Sequence, residues 1–484
     1  MKLKSFLFTL SVAILLASCS SDEPDAPVYV AEMTSFGFYA EDNGDIIVQD
    51  YIASSIGPSI SILLPEDVDK TALVARFTVS ENDVVKVGTV VQQSGVTVND
   101  FTGPVDYIVS EGTANVKYTI TVGKAPEFVW TSLPAVEEDF SSLIMDVSPT
   151  GVPYIVYKMK RDESDEEALG VMTLKDGAWT SLGQPSEGRV DSYYDIAFTS
   201  DNLPVVSYLD FTSPIDRKAS VKSWNGTTWS AVGSNLATTN RVSHLAMNYA
   251  TDNKLMVFAR YELNDNVFPR RALTVNSLEG GTWIHNAKIT GRTDDLIPSL
   301  VRAERLGNAL YLGAHNSVTP NTISIYKYEN GNWTTLVDKW TDENATGINV
   351  RDFEMAVDKD GNVYAALADN SSEGVYKYRV IKWEADTKQI SSVGSYLPGA
   401  SGGLFDFDLA LSPLGVPYLF YRNESLFPTV VSLDKDTQDW TTPNILEASE
   451  GDNLSIGFAP DGKAYAVYTK NRTLYSYKYD APGQ

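Results

Sequence analysis

The stretch "DKDGNVYAAL", residues Asp358–Leu367, decides the fold because the chain repeats its pattern. In it a Gly-Asn turn precedes an apolar run rich in Val, Tyr and Leu. Six further copies of the pattern begin at Ser148, Thr199, Ala250, Glu304, Ser412 and Ala459. A polar turn followed by a β-branched and aromatic run is typical of a strand that follows a tight connection. The sequence therefore predicts one all-β unit that is written seven times.

A second marker, usually built around a tryptophan, gives the period of this repeat. The marker occurs at Trp179, Trp229, Trp283, Trp333, Ile390 and Trp440, with spacings of 50, 54, 50, 57 and 50 residues. A period near fifty residues with about four short strands per unit is typical of a β-propeller. We therefore expect residues 125–484 to form a β-propeller.

The last repeat ends at "TLYSYKYD" and lacks its tryptophan strand, whereas "FVWTSLP", with Trp130, stands ahead of the first repeat. A strand from the N-terminal side would complete the C-terminal blade and remove the open sheet edges. The sequence thus predicts a seven-bladed propeller that is closed by an N-terminal strand. An open array of hairpins is the alternative, and it would leave those edges bare.

The first residues have the pattern of a processing signal. Lys2 and Lys4 precede the apolar run "FLFTLSVAILLA", and "LASC" ends at Cys19, the one cysteine of the 484 residues. This arrangement resembles the bacterial lipobox, whereas a plain secretory signal is the alternative. The resemblance implies a signal peptide at 1–18, lipidation of Cys19 and an acidic tether at 19–27. The acidic stretch "SSDEPDAP" at 20–27 resembles the surface-export signal of Bacteroidota-type lipoproteins, which implies an outer-membrane protein that faces the cell exterior and is held by lipid alone.

Residues 28–124 form a separate all-β segment. Runs such as "SISILLP", "ALVARFTV", "VDYIVS" and "VKYTITV" are strand-like and are separated by polar turns. Six or seven short strands in this length predict an immunoglobulin-like β-sandwich. The stretch "SGVTVNDFTGPVDYIVSEGTANVKYTITV" resembles the Ig-like modules of Bacteroidota-type surface lipoproteins, in which such modules act as spacers.

The formal net charge is −25. A field of this sign repels nucleic acids and anionic surfaces. It favours neutral or cationic partners, or bound cations.

The innermost strands are expected to carry two different faces. Counted back from the turn residue of each repeat, the sixth position is always apolar, which predicts the packing face between blades. These residues are Met145, Ile196, Met247, Val301, Met355, Leu409 and Ile456. Positions seven and nine lie on the opposite face, toward the propeller axis. Among them are the candidate ligand-binding residues Tyr193, Asp195, His244, Asp352, Glu354, Asp406 and Asp408.

Carboxylates that lie close together repel one another unless something neutralises them. Three interpretations remain open at this point. In the first, the carboxylates line a water-filled channel. In the second, they hold Ca²⁺, an oxygen-ligated cofactor for which Asp352, Glu354, Asp406 and Asp408 are the candidate ligands. In the third, a pair of them acts as acid and base on a glycosidic bond. Loops that end at the same rim add Arg260, His315 and Arg422 as candidate contacts to a polyhydroxylated ligand.

Other motifs restrict the chemistry. "GASGG" at 399–403 matches a nucleophile elbow in letters, but it falls in a loop between blades and not at a strand-to-helix turn. The repeats resemble kelch and galactose-oxidase-type propellers of Bacteroidota-type surface lipoproteins. Copper oxidase chemistry needs histidine ligands and a Cys-Tyr crosslink, whereas the chain has three histidines and its cysteine at the lipobox. The resemblance therefore implies a propeller that is not an oxidase.

These observations predict a surface lipoprotein that binds a glycan, or a protein partner in an uptake complex, through one propeller face. A glycan-cleaving hydrolase or lyase that uses the axial carboxylates is the alternative. The sequence leaves open whether the protein is an enzyme, and binding without catalysis is the preferred interpretation. Fold class alone does not choose between these functions.

Overall fold

The computed structural model describes residues 29–66, 68–160, 167–212, 217–236, 241–264, 268–289, 298–316, 321–341, 350–369, 377–399 and 406–481. Every regular element within these ranges is a β-strand, so the all-β prediction is confirmed. None of these residues belongs to a helix of the length and apolarity that crossing a bilayer requires. The predicted signal peptide, the lipidated Cys19 and most of the tether lie outside the described residues.

The chain divides into two compact units. The first comprises residues 29–37, 52–62 and 71–122 among those described. The second comprises residues 38–51, 63–70 and those from 123 onward.

Nine strands form the sheets of the N-terminal region. They are β1 (Met33–Phe38), β2 (Tyr51–Ile52), β3 (Ser59–Leu64), β4 (Leu73–Val79), β5 (Val84–Val87), β6 (Val90–Val91), β7 (Val98–Asn99), β8 (Val105–Glu111) and β9 (Ala114–Lys124). One sheet has the order β2-β1-β4-β7 and the other β3-β9-β8-β5-β6. Phe36 and Phe77 of the first sheet pack edge-on against the buried Tyr107 of the second, at centroid distances of 5.3 and 5.8 Å. The two sheets thus share one core; the immunoglobulin-like topology stays a prediction.

After residue 124, the described residues form seven four-stranded antiparallel sheets. The first strand of this part, β10 (Val129–Ser132), belongs to the seventh sheet. Sheet 1 contains β11 (Ser142–Val147), β12 (Pro153–Lys160), β13 (Glu167–Lys175) and β14 (Ala178–Ser181); sheet 2 contains β15 (Val190–Phe198), β16 (Pro204–Asp210), β17 (Lys218–Trp224) and β18 (Trp229–Leu236). Sheet 3 contains β19 (Val242–Thr251), β20 (Lys254–Tyr261), β21 (Leu273–Glu279) and β22 (Thr282–Ala287); sheet 4 contains β23 (Pro298–Leu306), β24 (Ala309–Asn316), β25 (Thr322–Glu329) and β26 (Asn332–Trp340).

The remaining sheets follow the same plan. Sheet 5 contains β27 (Val350–Val357), β28 (Val363–Asp369), β29 (Lys377–Trp383) and β30 (Ile390–Pro398); sheet 6 contains β31 (Phe407–Leu411), β32 (Pro417–Arg422), β33 (Pro428–Ser432) and β34 (Asn444–Ile445); sheet 7 contains β35 (Asp452–Phe458), β36 (Ala464–Lys470), β37 (Thr473–Asp480) and β10. The innermost strands β11, β15, β19, β23, β27, β31 and β35 each contact the next, and β35 contacts β11. Four-stranded sheets arranged in such a cycle are those of a β-propeller.

The N-terminal and C-terminal strands of this unit meet in sheet 7. Strand β10 pairs antiparallel with β37, from Val129 opposite Asp480 to Ser132 opposite Tyr477. The Trp130 ring lies 5.0 Å from the Tyr479 ring. The edge of β37 is therefore covered by a strand from the other end of the chain.

The opening stretch "DKDGNVYAAL" forms the hairpin turn between β27 and β28. Gly361 has a φ of +82°, a left-handed conformation that favours glycine. The Asp358 side chain accepts hydrogen bonds from the backbone N–H of Asp360 (3.0 Å) and of Asn362 (2.9 Å). The repeated Asp, Gly and Asn letters thus mark a turn that ties its own backbone together.

The apolar positions six residues before each turn are buried in seven different core clusters of the described residues. None of the seven side chains is more than 6 % exposed. The predicted packing face between neighbouring sheets is therefore confirmed.

The tryptophan markers link the outer strands of neighbouring sheets. The Nε1 atoms of Trp229, Trp283 and Trp440 each donate a hydrogen bond of 2.9 Å to a backbone carbonyl of the preceding sheet. Their acceptors are Leu182, Val232 and Ser395. A tryptophan buries a large apolar ring and still satisfies its donor at this position.

Candidate functional site

A cavity of 580 Å³ lies between the innermost strands of the second unit, and we call it the axial channel. Its end at the N-termini of these strands is called the channel mouth. Seven of the sequence-predicted residues line the channel: Tyr193, Asp195, His244, Asp352, Glu354, Asp406 and Asp408. The other three, Arg260, His315 and Arg422, do not line it.

Irregular strand pairing shapes the channel mouth. His244 has a φ of +51° and lies where the pairing of β19 with β20 shifts between Ser243 and Leu245. Register shifts at the same end of the innermost strand occur in sheets 2, 4, 5 and 7. A bulge bends a strand and redirects its side chains, which period-two alternation alone does not describe.

Tyr193 and His244 form a ring pair at the mouth. Their centroids lie 4.1 Å apart with an interplanar angle of 34°. His244 Nδ1 lies 3.2 Å from Ser243 Oγ. Burial, reinforced by the charge of Arg260, lowers the pKa of His244 to about 3, and burial raises the pKa of Tyr193. Both rings are therefore neutral at pH 7 and present neutral polar groups beside an apolar face.

Arg260 lies behind this ring pair and belongs to a polar network. Its Nε donates to Ser243 Oγ at 2.9 Å and its Nη2 to Glu262 Oε1 at 2.7 Å, while Ser243 Oγ donates to Glu262. The Arg260 and Glu262 side chains are only 14 % and 16 % exposed. Arg260 therefore orients Ser243, which in turn contacts His244. The geometry therefore favours an orienting role for Arg260 and not the direct ligand contact that the sequence predicted.

Arg302 is a channel residue that the sequence analysis missed. It binds Glu354 with two hydrogen bonds, of 2.6 Å from Nε and 2.5 Å from Nη2, and its Nη2 lies 3.7 Å from Asp352. Burial raises the pKa of Glu354 to about 8, although the Arg302 charge opposes the rise. Arg302 stands five positions before its turn residue Gly307 and Glu354 seven before Gly361, so both lie on the same face of the strand and the alternation would have found Arg302 as well.

Asp195, Asp406 and Asp408 bind backbone N–H groups of the next innermost strand. Asp195 accepts from Met247 at 2.7 Å, and Asp408 accepts from Ile456 at 2.8 Å. Asp406 accepts from the N–H groups of Asn453 and, at 3.2 Å, of Leu454, and Asp408 also accepts from Ser455 Oγ at 2.8 Å. Innermost strands are sheet edges whose outward N–H groups need acceptors. These carboxylates supply them.

The four carboxylates that the sequence predicted as Ca²⁺ ligands do not come together in one metal-binding cluster. No group of three or more His, Cys, Asp or Glu side chains among the described residues is placed to hold a metal ion. Asp352 and Glu354 face the Arg302 guanidinium, whereas Asp406 and Asp408 are occupied by backbone donors. The four proposed ligands are thus divided between two other roles.

The prediction that His315 and Arg422 lie on accessible loops at the rim is wrong, because both side chains are buried. His315 is 2 % exposed, at the end of β24, and burial lowers its pKa to about 4. Arg422 is 8 % exposed, and its Nη1 donates to Asp452 at 2.7 Å. Polar letters at strand ends predicted accessible loops, but both residues still belong to paired strands.

The channel interior is rich in carboxyl groups that hold protons unusually well. Burial raises the pKa of Asp146 to about 7, that of Asp195 to about 6 and that of Asp406 to about 7. It raises the pKa of Glu304 well above its ordinary value, with repulsion from Asp146 adding to the effect. Asp146 and Glu304 were also missed by the sequence analysis, although both stand at odd offsets before their turns.

Comparison with known families gives one match. The model described as "SGBP, N-terminal", in which SGBP denotes surface glycan-binding protein, matches residues 45–122. No curated protein is similar enough to the chain to count as a relative.

Three solved structures illustrate the likeness of the propeller. The lectin of the fungus Aleuria aurantia, titled a six-bladed β-propeller, has 10 % identity and a TM-score of 0.41, covering 60 % of this chain and 92 % of its own. An α-L-arabinanase of Penicillium chrysogenum complexed with arabinobiose has 11 % identity and a TM-score of 0.42, covering 72 % and 98 %. A Dyadobacter fermentans protein of unknown function has 10 % identity and a TM-score of 0.42, covering 74 % and 98 %. Sequence identities and TM-scores this low do not allow the function of these proteins to be transferred to this chain.

Proposed function

We propose that this protein binds a glycan at the channel mouth of its propeller. The match of residues 45–122 to the surface glycan-binding N-terminal model supports the ligand class. The ring pair of Tyr193 and His244 is the observation that supports the channel mouth as the binding site, because it combines an apolar ring face with neutral polar groups in a concave opening. Sugar rings offer both apolar C–H faces and hydroxyl groups, so they suit such a surface.

The surroundings of the ring pair complete this site. Asp352, whose side chain is 33 % exposed, lies at the same end of the innermost strands and provides a carboxylate that accepts hydrogen bonds from hydroxyl groups. The Ser243, Arg260 and Glu262 network holds His244 from behind, so the imidazole is oriented before a ligand arrives. A preorganised contact loses less entropy on binding.

The rest of the proposal follows the sequence resemblances. We propose a lipoprotein that is anchored in the outer membrane through Cys19 and faces the cell exterior. Its two units are an immunoglobulin-like sandwich and a closed seven-bladed propeller. Its partners are a glycan and, as a further proposal, a surface protein of an uptake complex; nucleic acid is not among them.

Glycan cleavage is the second candidate, and the contacts of the carboxylates favour binding over it. A cleaving pair needs carboxylates directed at the scissile bond. Asp408 instead directs its oxygens to backbone N–H groups, and Glu354 directs both of its oxygens to Arg302.

A glycan array followed by calorimetry tests the proposal. The wild type is expected to bind at least one soluble polysaccharide, and Tyr193→Ala with His244→Ala is expected to weaken that binding at least tenfold. Tyr249→Ala is the matched control, because Tyr249 lies on the same strand, β19, outside the channel lining. Wild-type affinity in the double variant would overturn the mouth as the site. Released sugar products in the same samples would favour the cleaving alternative.

A further inference from the structure

Two arginines share one aromatic ring in sheet 2, and we call Arg189 and Arg217 the arginine pair. Their guanidinium carbons lie 5.2 and 5.1 Å from the ring centroid of Phe211. At such distances a guanidinium is attracted to the π-electrons of a ring. Arg189 is exposed, whereas Arg217 and Phe211 are half-buried. One phenyl ring therefore brings two positive charges together at the surface.

Backbone hydrogen bonds fix the main chain of the arginine pair. The Phe211 N–H donates to the Arg189 carbonyl at 2.9 Å. The Arg217 N–H donates to the Asp210 carbonyl at 2.9 Å, and the Arg217 carbonyl accepts the N–H of Val242 at 2.9 Å. Arg217 has a φ of +62°, a conformation that residues other than glycine keep only where the surrounding structure holds them. The two arginines are therefore positioned before any ligand binds.

The arginine pair is not neutralised within the described part of the chain. No carboxylate there lies within ion-pair distance of either guanidinium. Two carboxylates near them in the chain bind other groups: Glu187 binds Lys222 at 2.9 Å, and Asp210 accepts the N–H of Thr212 at 2.8 Å. Neighbouring like charges repel one another, so an anion that binds both is stabilising. The formal net charge of −25 makes carboxylates abundant, yet the pair lacks one.

The strand order places the arginine pair at the same end of sheet 2 as the channel mouth. Arg189 directly precedes β15, and Arg217 directly precedes β17. The first residues of both strands pair with or next to Asp210, the last residue of β16. Tyr193 follows Arg189 by four residues, which span at most about 14 Å of extended chain. One oligosaccharide can therefore contact the ring pair and the arginine pair together.

Arginines are concentrated at this part of the rim. The described strand ends and loops at the mouth end of sheets 2 and 3 carry six: Arg189, Arg217, Arg241, Arg260, Arg270 and Arg271. At physiological ionic strength, charges separated by more than about 8 Å are largely screened from each other. The nearby arginines therefore influence a ligand at this rim more than the distant carboxylates that make the whole chain acidic.

We propose that the arginine pair binds an anionic group of the glycan, the carboxylate of a uronic acid or a sulfate ester, beside the ring pair at the channel mouth. This inference rests on the proposed glycan binding and makes that ligand an acidic glycan. A guanidinium donates hydrogen bonds in a planar fork that matches the oxygens of such anions. The phenyl ring of Phe211 has no oxygen acceptor, so it holds both groups without consuming their donors.

The test compares anionic polysaccharides with neutral counterparts by calorimetry. Polygalacturonate and alginate carry carboxylates, dextran sulfate carries sulfate esters, and carboxyl-reduced polygalacturonate and dextran are neutral. We expect Arg189→Gln with Arg217→Gln to weaken binding of the anionic polymer at least tenfold, the loss that charge-assisted hydrogen bonds imply. The neutral counterpart should bind the wild type at least tenfold more weakly than the anionic polymer. Binding of the carboxylate polymers alone would identify a uronate, and binding of dextran sulfate alone a sulfate ester.

Lys175→Gln with Lys388→Gln is the matched control, because it removes two exposed positive charges at the opposite end of sheets 1 and 5. It should keep the wild-type affinity, and equal melting temperatures verify that folding is unchanged. Wild-type affinity of the arginine variant, or an equal loss in the lysine variant, would overturn the arginine pair while leaving the mouth site intact. A wild type that binds only neutral polysaccharides would overturn it as well. If the wild type binds no arrayed polysaccharide, the proposed function itself fails, and this inference fails with it.

Discussion

The carboxylate of Asp408, on the innermost strand of sheet 6, accepts the backbone N–H of Ile456 on the innermost strand of sheet 7 at 2.8 Å. The same oxygen accepts a hydrogen bond of 2.8 Å from the Ser455 hydroxyl, and the other oxygen accepts one of 2.8 Å from the N–H of Leu409. Asp195 contacts Met247 in the same way between sheets 2 and 3. The carboxylates of the channel thus connect neighbouring sheets at their inner edges.

Asp408→Ala is expected to lower the free energy of unfolding by about 1–3 kcal/mol, because it leaves buried backbone donors without an acceptor. Urea unfolding followed by tyrosine and tryptophan fluorescence measures this loss. Asp408→Asn keeps one acceptor oxygen, so its loss should be smaller. Equal stability of the alanine variant and the wild type would show that the contact between the sheets contributes nothing.

At pH 9, where Glu354 is ionised, Arg302→Met is expected to destabilise the fold by about 2 kcal/mol, because it leaves Glu354 and Asp352 without the cation that faces them. The loss is smaller than for a fully enclosed pair, since the Arg302 and Glu354 side chains are 31 % and 20 % exposed. Adding Glu354→Gln should recover most of it in the same urea measurement. A double variant that is less stable than Arg302→Met would contradict this account.

The free energy of unfolding should decrease as the pH rises from 5 to 8. Burial raises the pKa of Asp146 to about 7 and that of Glu354 to about 8, each above its ordinary value. The native state therefore binds these protons more tightly than the unfolded chain. Their contribution is complete below about pH 4 and is lost as the pH rises through 7 and 8. Carboxyls whose pKa is lowered on folding, such as Glu262, change stability at lower pH and do not affect this window.

Melting temperatures at pH 5 and pH 8 check this expectation. Asp146→Asn removes one of the titrating groups, so its melting temperature should depend less on pH than that of the wild type. A wild type that melts higher at pH 8 than at pH 5 would refute the assignment of protonated channel carboxyls.

Cys19→Ala is expected to release the protein from the membrane fraction, because the thiol is the proposed attachment atom of the lipid. Fractionation of cells followed by immunoblotting measures the distribution. Ser20→Ala, one residue further on, should stay with the outer membrane. If the Cys19 variant also sediments with the membrane, the lipid anchor is wrong.

Local chemistry explains what could be predicted from the sequence. The turn at Gly361 needs a positive φ, and Asp358 bonds the backbone of its own turn, so both leave a readable pattern. Alternation with a period of two separated the buried Met355 from the channel residue Glu354 in the neighbouring position. These features depend on neighbours within a few residues, and they therefore recur with the repeat.

The tertiary structure alone decided what the channel side chains do. Glu354 meets Arg302, 52 residues away, and Asp408 meets Ile456, 48 residues away, each in an adjacent sheet. The bulge that gives His244 its φ of +51° places its ring on Tyr193, although nothing in the local sequence pattern indicates a bulge there. Which groups meet across two sheets depends on how those sheets pack and where their strands bulge, and hydrophobic periodicity reports only the face on which a side chain lies.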